Sequence, residues 1–169
     1  AHQQAFDAEG NLLSLSYPDG STQQYTYDNE RLSHITLPNG SQINFSNYQG
    51  YEPGTIQTPG ASKNTRFDAL LRPIDIRIKQ GETELSHRTY RYTPAGDVAE
   101  IGSEQGTTTY NYDALARLTG VTPDQRLQVL GVPLEAYSYD AIGNRTNSAH
   151  QPGAWLYNTN GQLTQYPAT

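Results

Sequence analysis

The segment Tyr110-Asn111-Tyr112-Asp113-Ala114-Leu115-Ala116-Arg117-Leu118 decides how the whole chain is read, because it recurs. Tyr137-Ser138-Tyr139-Asp140-Ala141-Ile142-Gly143-Asn144-Arg145 repeats its wording, and Tyr25-Thr26-Tyr27-Asp28 repeats its opening. Tyr90-Arg91-Tyr92 keeps the aromatic pair but puts Thr93 in the acid's place. With the last aromatic of each copy as anchor, the series is Phe6, Tyr27, Phe45, Phe67, Tyr92, Tyr112, Tyr139 and Tyr157. The spacings are 21, 18, 22, 25, 20, 27 and 18 residues. A period of about twenty residues signals many copies of one small unit rather than one globular core. Residues 1–169 are therefore read as a single array of about eight degenerate repeats.

Each part of the unit has a physical role. Tyr-x-Tyr puts two rings on one face of an extended strand, where they can meet neighbouring strands. The acids that follow, Asp7, Asp28, Asp68, Asp113 and Asp140, stand where a strand should end. A carboxylate there can accept N–H bonds from the next residues and cap the turn. Four residues after the anchor, Gly10, Gly96, Gly143 and Gly161 supply the positive φ that closes it. Ala116 and Leu71 hold that position in two copies, and the copy at Tyr27 is one residue shorter. Leu32-Ser33-His34-Ile35-Thr36-Leu37 then alternates as a returning strand, and Pro18-Asp19-Gly20 and Pro38-Asn39-Gly40 reverse the chain again. The unit is a hairpin, and the chain an antiparallel meander forming a twisted all-β ribbon.

Composition agrees with a ribbon that has one packed and one wet face. Leu, Ile, Val and Phe make up less than a fifth of the chain, a level that raises the question of disorder. Thirteen Tyr and Trp155 restore apolar area, and a net charge of −6 is modest for 169 residues. Because aliphatic residues are scarce, Tyr27, Tyr92, Tyr112, Tyr139 and Tyr157 are expected to be mostly buried and mutually packed. Helix signals are poor. The best candidate runs from Pro123 to Leu130, with Thr122 as N-cap and Gly131 as a stop. Leu127-Gln128-Val129 and Leu134-Glu135-Ala136-Tyr137 also read as strands around Gly131, and strands are the expectation. The stretch from Tyr48 to Asn64 is the least regular.

Copies such as Tyr112-Asp113-Ala114-Leu115-Ala116-Arg117-Leu118 and Tyr139-Asp140-Ala141-Ile142-Gly143-Asn144-Arg145-Thr146 resemble the YD repeats of the Rhs family, and the likeness runs along essentially the whole chain. That family includes bacterial polymorphic toxins, the B and C subunits of insecticidal toxin complexes, and the animal teneurins. The resemblance implies one long β-ribbon that spirals into a hollow shell, enclosing a C-terminal toxic polypeptide in the bacterial toxins. The family's Asp-Pro- and Gly-rich self-cleaving core segment has no counterpart after Tyr157. About eight repeats would form only part of such a wall. The implied partners are flanking repeats and the enclosed toxin domain, and the implied location is secreted, delivered by a bacterial secretion system, or at the cell surface.

Other chemistry has little support in the residues. The regular spacing of the five YD aspartates favours turn caps over the paired carboxylates of glycoside hydrolysis. His2, His34, His87 and His150 share no metal-ligand spacing, and no nucleophile elbow, P-loop or dinucleotide fingerprint occurs. No enzyme, cofactor or metal site is predicted. Two lysines, Lys63 and Lys79, and scattered arginines on an acidic chain argue against a nucleic-acid partner. No apolar run is long enough to span a membrane, Ala1-His2-Gln3 does not read as a signal peptide, and the absence of cysteine excludes disulfides and thiolate metal sites. The rival function is a carbohydrate-binding or adhesive module, in which rows of Tyr stack on a glycan. An exposed coplanar row of rings would favour it, and packed rings would favour a shell. The unpaired edges of an open ribbon should fray, or associate edge to edge with another copy.

Overall fold

The computed structural model describes residues 2–166 and is almost wholly strand and turn. The chain divides into two compact units, Ala1–His87 and Arg88–Thr169. In the first, β1 (Gln3–Phe6), β2 (Leu12–Ser16), β3 (Thr22–Asp28), β4 (Arg31–Thr36), β5 (Gln42–Ser46), β6 (Thr55–Gln57), β7 (Ser62–Phe67) and β8 (Pro73–Gln80) follow in order. Each of these strands pairs antiparallel with the one before it. β9 (Thr83–Tyr92) runs into the second unit. There, β10 (Val98–Ser103), β11 (Thr107–Tyr112), β12 (Leu118–Pro123), β13 (Glu135–Tyr139) and β14 (Arg145–Ser148) continue the antiparallel order from β9. A hairpin of β15 (Leu156–Tyr157) and β16 (Leu163–Gln165) follows. The all-β meander read from the repeats is the fold.

Alternation sorts the side chains of the first unit onto two faces. Tyr25 stands opposite Ile35, which stands opposite Ile43; Phe45 faces Ile56, and Thr65 faces Ile76. On the other face Gln24, Thr36 and Gln42 align, as do His34, Asn44 and Gln57. Among the described residues no hydrophobic side chain belongs to a buried core. The anchors expected to be mostly buried are part-buried, and none of them is fully enclosed. Tyr27, Tyr92, Tyr112, Tyr139 and Tyr157 are half-buried, and Phe6 is 55% exposed. A single layer of strands covers an aromatic ring from one side only. Stability then depends on the ladder, the turns and the links between successive hairpins.

One helix interrupts the strands, where strands were expected. α1 (Gln125–Val129) is capped by Asp124, whose carboxylate accepts the Leu127 N–H at 3.0 Å. The other carboxylate oxygen accepts the Thr107 N–H at 2.8 Å, so β11 fixes the cap in place. Gly106 approaches Asp124 so closely that a Cβ would lie 2.6 Å from its Oδ1. The helix thus starts at Asp124 instead of Thr122, and Pro123 ends β12. Val129 points outward, 82% exposed, while Leu127 is part-buried against Gly106. Tertiary capping, invisible to local periodicity, overrides the strand pattern of Leu127-Gln128-Val129.

Candidate functional site

The repeating feature with a defined geometry is the YD turn together with its link to the next hairpin. Asp113 Oδ1 accepts the N–H groups of Leu115 at 2.9 Å and Arg117 at 3.0 Å, while Oδ2 takes the Arg117 guanidinium at 2.6 Å. Asp68 holds Leu70 and Arg72 in the same way. In the copies with Asn at the fourth position after the acid, Asp7 holds Glu9 and Asn11, and Asp140 holds Ile142 and Asn144. Asn158 makes the neutral version, accepting from Asn160 and Gln162. The Thr93 hydroxyl accepts the Asp97 N–H at 3.1 Å and donates to the Asp97 carboxylate at 3.4 Å.

These bonds hold the carboxyls below the usual aspartate range. The cause is led by the Asn11 side chain at Asp7, the Arg72 side chain at Asp68 and the Arg117 backbone at Asp113. At Asp140 desolvation pulls upward, and the hydrogen bonds from Asn144, Ile142 and Gly143 outweigh it.

Asp28 departs from the predicted cap. β3 runs through it, and a two-residue reversal at Asn29 and Glu30, with φ of 48° and 63°, replaces the longer loop. The missing residue leaves no N–H groups converging on the carboxylate. Asp28 accepts only the Asn29 side-chain amide, at 2.9 Å.

Every YD hairpin carries a β-bulge beside its anchor. Phe6 pairs with Leu12, Tyr27 with Leu32, Phe67 with Pro73, Tyr112 with Leu118, Tyr139 with Arg145 and Tyr157 with Leu163, each with one residue of the returning strand skipped. The bulge has a consequence on the far side of that strand. The ladder from β2 to β3 stops at Ser14, that from β4 to β5 at His34, and those from β10 and β12 at Glu100 and Gly120. The carbonyl two residues earlier has no backbone partner in the next strand, and a tyrosine hydroxyl takes it. Tyr27 donates to Leu12 O at 3.1 Å, Tyr112 to Val98 O at 2.8 Å, Tyr139 to Leu118 O at 2.6 Å and Tyr157 to Arg145 O at 2.8 Å. Each anchor therefore pins its own hairpin to the one before it and satisfies a backbone acceptor.

Tyr48 performs the same task on Leu32 O at 2.6 Å, three residues after the expected anchor Phe45. Phe45 has no hydroxyl, and it serves the sheet as a cross-strand partner of Ile56. The hydroxyl requirement was the signal that would have singled out Tyr48. Arginine adds a second link: Arg117 lies over the Tyr139 ring at 4.8 Å while donating to Asp140 O, and Arg145 sits over Trp155 at 4.0 Å. The rings are thus engaged singly by backbone and guanidinium. Tyr27, Tyr112, Tyr139 and Tyr157 form neither a mutual stack nor a free coplanar row.

Reactive groups do not converge elsewhere. His87 pairs with Asp75 at 3.2 Å, His150 lies 3.9 Å from Glu135, and His2 packs edge-on against Tyr17. No group of three or more His, Asp or Glu that could hold a metal ion occurs among the described residues. No helix among them is long and apolar enough to cross a membrane.

Comparison with known proteins agrees with this geometry. Residues 6–42 match the family described as RHS Repeat. No curated protein sequence matches the chain. Among solved structures, it resembles the pore state of a Photorhabdus luminescens Tc holotoxin, at 18% identity and TM-score 0.68 over 96% of this chain and 12% of that one. It also resembles the crystal structure of TcdB2-TccC3-Cdc42, at 20% identity and TM-score 0.70 over 90% of this chain and 9% of the other. TcdB2-TccC3 without its hypervariable C-terminal region gives 21% identity and a TM-score of 0.69, again over 90% and 9%. The chain spans about a tenth of the length of those proteins, and at these identities the likeness is one of fold. An RHS repeat is thus matched at residues 6–42, and the fold of the chain is similar to that of the Tc toxin structures.

Proposed function

We propose that this chain is a wall segment of an Rhs-type shell, one continuous array over residues 1–169 whose role is structural and non-enzymatic, and that the shell encloses a C-terminal toxic polypeptide for delivery. The observation that carries this reading is the hairpin-to-hairpin link. Each tyrosine hydroxyl takes a carbonyl left free by the previous bulge, so the unit can be added without limit and without a core. Apolar side chains left part-exposed along the strands suit a wall whose inner side meets enclosed protein. Flanking repeats would cover the free edge of β1 beyond its partner β2, and secretion or injection from a bacterium would bring the shell to its target.

The test is to purify the protein from its source under native conditions and treat it with protease before and after denaturation. The reading expects a much longer chain, with a C-terminal polypeptide protected until the shell is opened. A free 18.7 kDa monomer with protected edge strands and no enclosed polypeptide would overturn it.

A further inference from the structure

We propose that α1 and the segment after it form a self-complementary docking surface for a second copy of this chain. The connection from β12 to β13 runs over residues 124–134, whereas those from β2 to β3 and from β4 to β5 need only residues 17–21 and 37–41. The short turns are polar, Pro18-Asp19-Gly20 and Pro38-Asn39-Gly40, but the long one carries Val129, Leu130, Val132 and Leu134. Those four are 82%, 65%, 39% and 52% exposed. The fold of the loop does not depend on them, since Asp124 caps α1 and Leu127 makes its contact with Gly106. Aliphatic side chains set together on an exposed loop cost solubility unless something covers them.

A cavity of about 520 Å³ lies between α1 and the turn from β10 to β11, with Val129 and Leu130 on its apolar side. Glu104, Gln105, Gln125 and Arg126 supply its polar rim, and that rim decides the occupant. Arg126 donates to the Glu104 backbone carbonyl at 3.4 Å, which sets a cation beside an anion. Glu104 pairs with Arg88 at 3.0 Å, and its side chain, 37% exposed, has oxygen lone pairs left for another donor. Arg126 is exposed, attracts the Asp124 carboxylate only from a distance, and forms no ion pair among the described residues.

One cation, one anion and two amides give a rim without net charge, which neither an acidic nor a basic partner matches as a whole. A two-fold axis does match it. In an isologous interface residue i meets residue j while j meets i, so each Arg126 comes against the other copy's Glu104. The two side-by-side dipoles then lie head to tail, and both ion pairs form at once. The amides of Gln105 and Gln125 each hold donors and an acceptor, so they also suit their own copies across the axis. Val129 and Leu130 pack at the centre, as the apolar part of an interface does. Four aliphatic residues on one loop bury less than the roughly 1,000 Å² that a stable interface clears, so the pairing is weak, with Kd on the order of 100 µM. It joins copies through α1 and leaves the strand edges uninvolved.

Sedimentation equilibrium of the intact chain, from about 5 µM to about 500 µM, spans that range and tests the proposal. A reversible monomer–dimer equilibrium is expected. Val129→Glu, Arg126→Glu and Glu104→Arg should each weaken the dimer at least about tenfold, by burying a charge or by setting like charges against each other. All three side chains are exposed, so the variants should keep the wild-type far-ultraviolet spectrum. Mixed in equal amounts, the Arg126→Glu and Glu104→Arg chains should associate again, because each new charge then meets its opposite across the axis. A monomer throughout the range would overturn the proposal. So would a dimer that survives Val129→Glu, which would place the contact at the strand edges instead, or folded charge variants that stay apart on mixing.

Discussion

The turns at Asp113 and Asp28 begin with the same Tyr-x-Tyr-Asp, yet they end as different devices. At Asp113 five residues fold around the carboxylate, which takes two N–H groups and the Arg117 guanidinium. At Asp28 one residue fewer leaves a tight reversal through two left-handed non-glycine residues; the acid takes only the Asn29 side-chain amide, and Arg31 lies over the Tyr48 ring instead of on the carboxylate. A motif is therefore a promise of geometry only at its full length. Both turns still keep the anchor, the bulge and the hydroxyl link to a neighbouring hairpin, so the link belongs to the strand and the cap belongs to the loop.

The link should carry the larger energy. Tyr112→Ala removes a half-buried ring and the bond to Val98 O, and about 3 kcal/mol of stability should go with them. Tyr112→Phe keeps the ring and should cost about 1 kcal/mol, the net worth of one hydrogen bond. Urea denaturation of the two variants separates ring from hydroxyl. If Phe is as damaging as Ala, the ring's packing contributes nothing; if Phe is neutral, the link is ornamental.

The caps come next, and here the two turns should part. Asp140→Ala should lower the denaturation midpoint, because Ile142 and Asn144 lose their acceptor. Asp28→Ala should leave the midpoint within error, since no backbone group depends on that carboxylate. Equal losses at both positions would mean that the cap is not what the aspartate supplies.

A pH profile sharpens the same contrast. Asp7, Asp68, Asp113 and Asp140 are held below the usual aspartate range by hydrogen bonds, so their contribution is complete above that range. It is lost as pH falls through the depressed values. Stability should drop on acidification, and Asp113→Asn should flatten part of that drop.

Much of this was legible in the sequence, for reasons that particular residues show. Tyr112, Tyr139 and Asp140 recur at a fixed phase, and the phase alone implies hairpins in series. The depth of burial was not legible, because the count of apolar residues says nothing about whether a second layer covers them. α1 was missed since its cap is held by Thr107, seventeen residues earlier in the chain. Tyr48 was passed over in favour of Phe45 because an aromatic was sought, when a hydroxyl was required. The shortened copy at Tyr27 was visible, but the loss of the backbone cap at Asp28 follows only from where the turn's N–H groups point.

Restoring the missing residue is the finest test of the comparison. A glycine inserted between Glu30 and Arg31 makes the loop Asp-Asn-Glu-Gly-Arg, the same length and nearly the same wording as Asp7-Ala8-Glu9-Gly10-Asn11. The inserted glycine can adopt the positive φ that Gly10 shows, at 90°, and it relieves Asn29 and Glu30 of theirs. Asp28 should then accept two backbone N–H groups, and the arginine should close on it as Arg117 closes on Asp113. The gain in stability should be small, no more than about 1 kcal/mol, because an added residue also costs conformational entropy. The clearer readout is slowed hydrogen exchange at the amide of that arginine. If the amide stays fast, loop length is not what separates the two turns, and the sequence of the flanking strands must set the geometry instead.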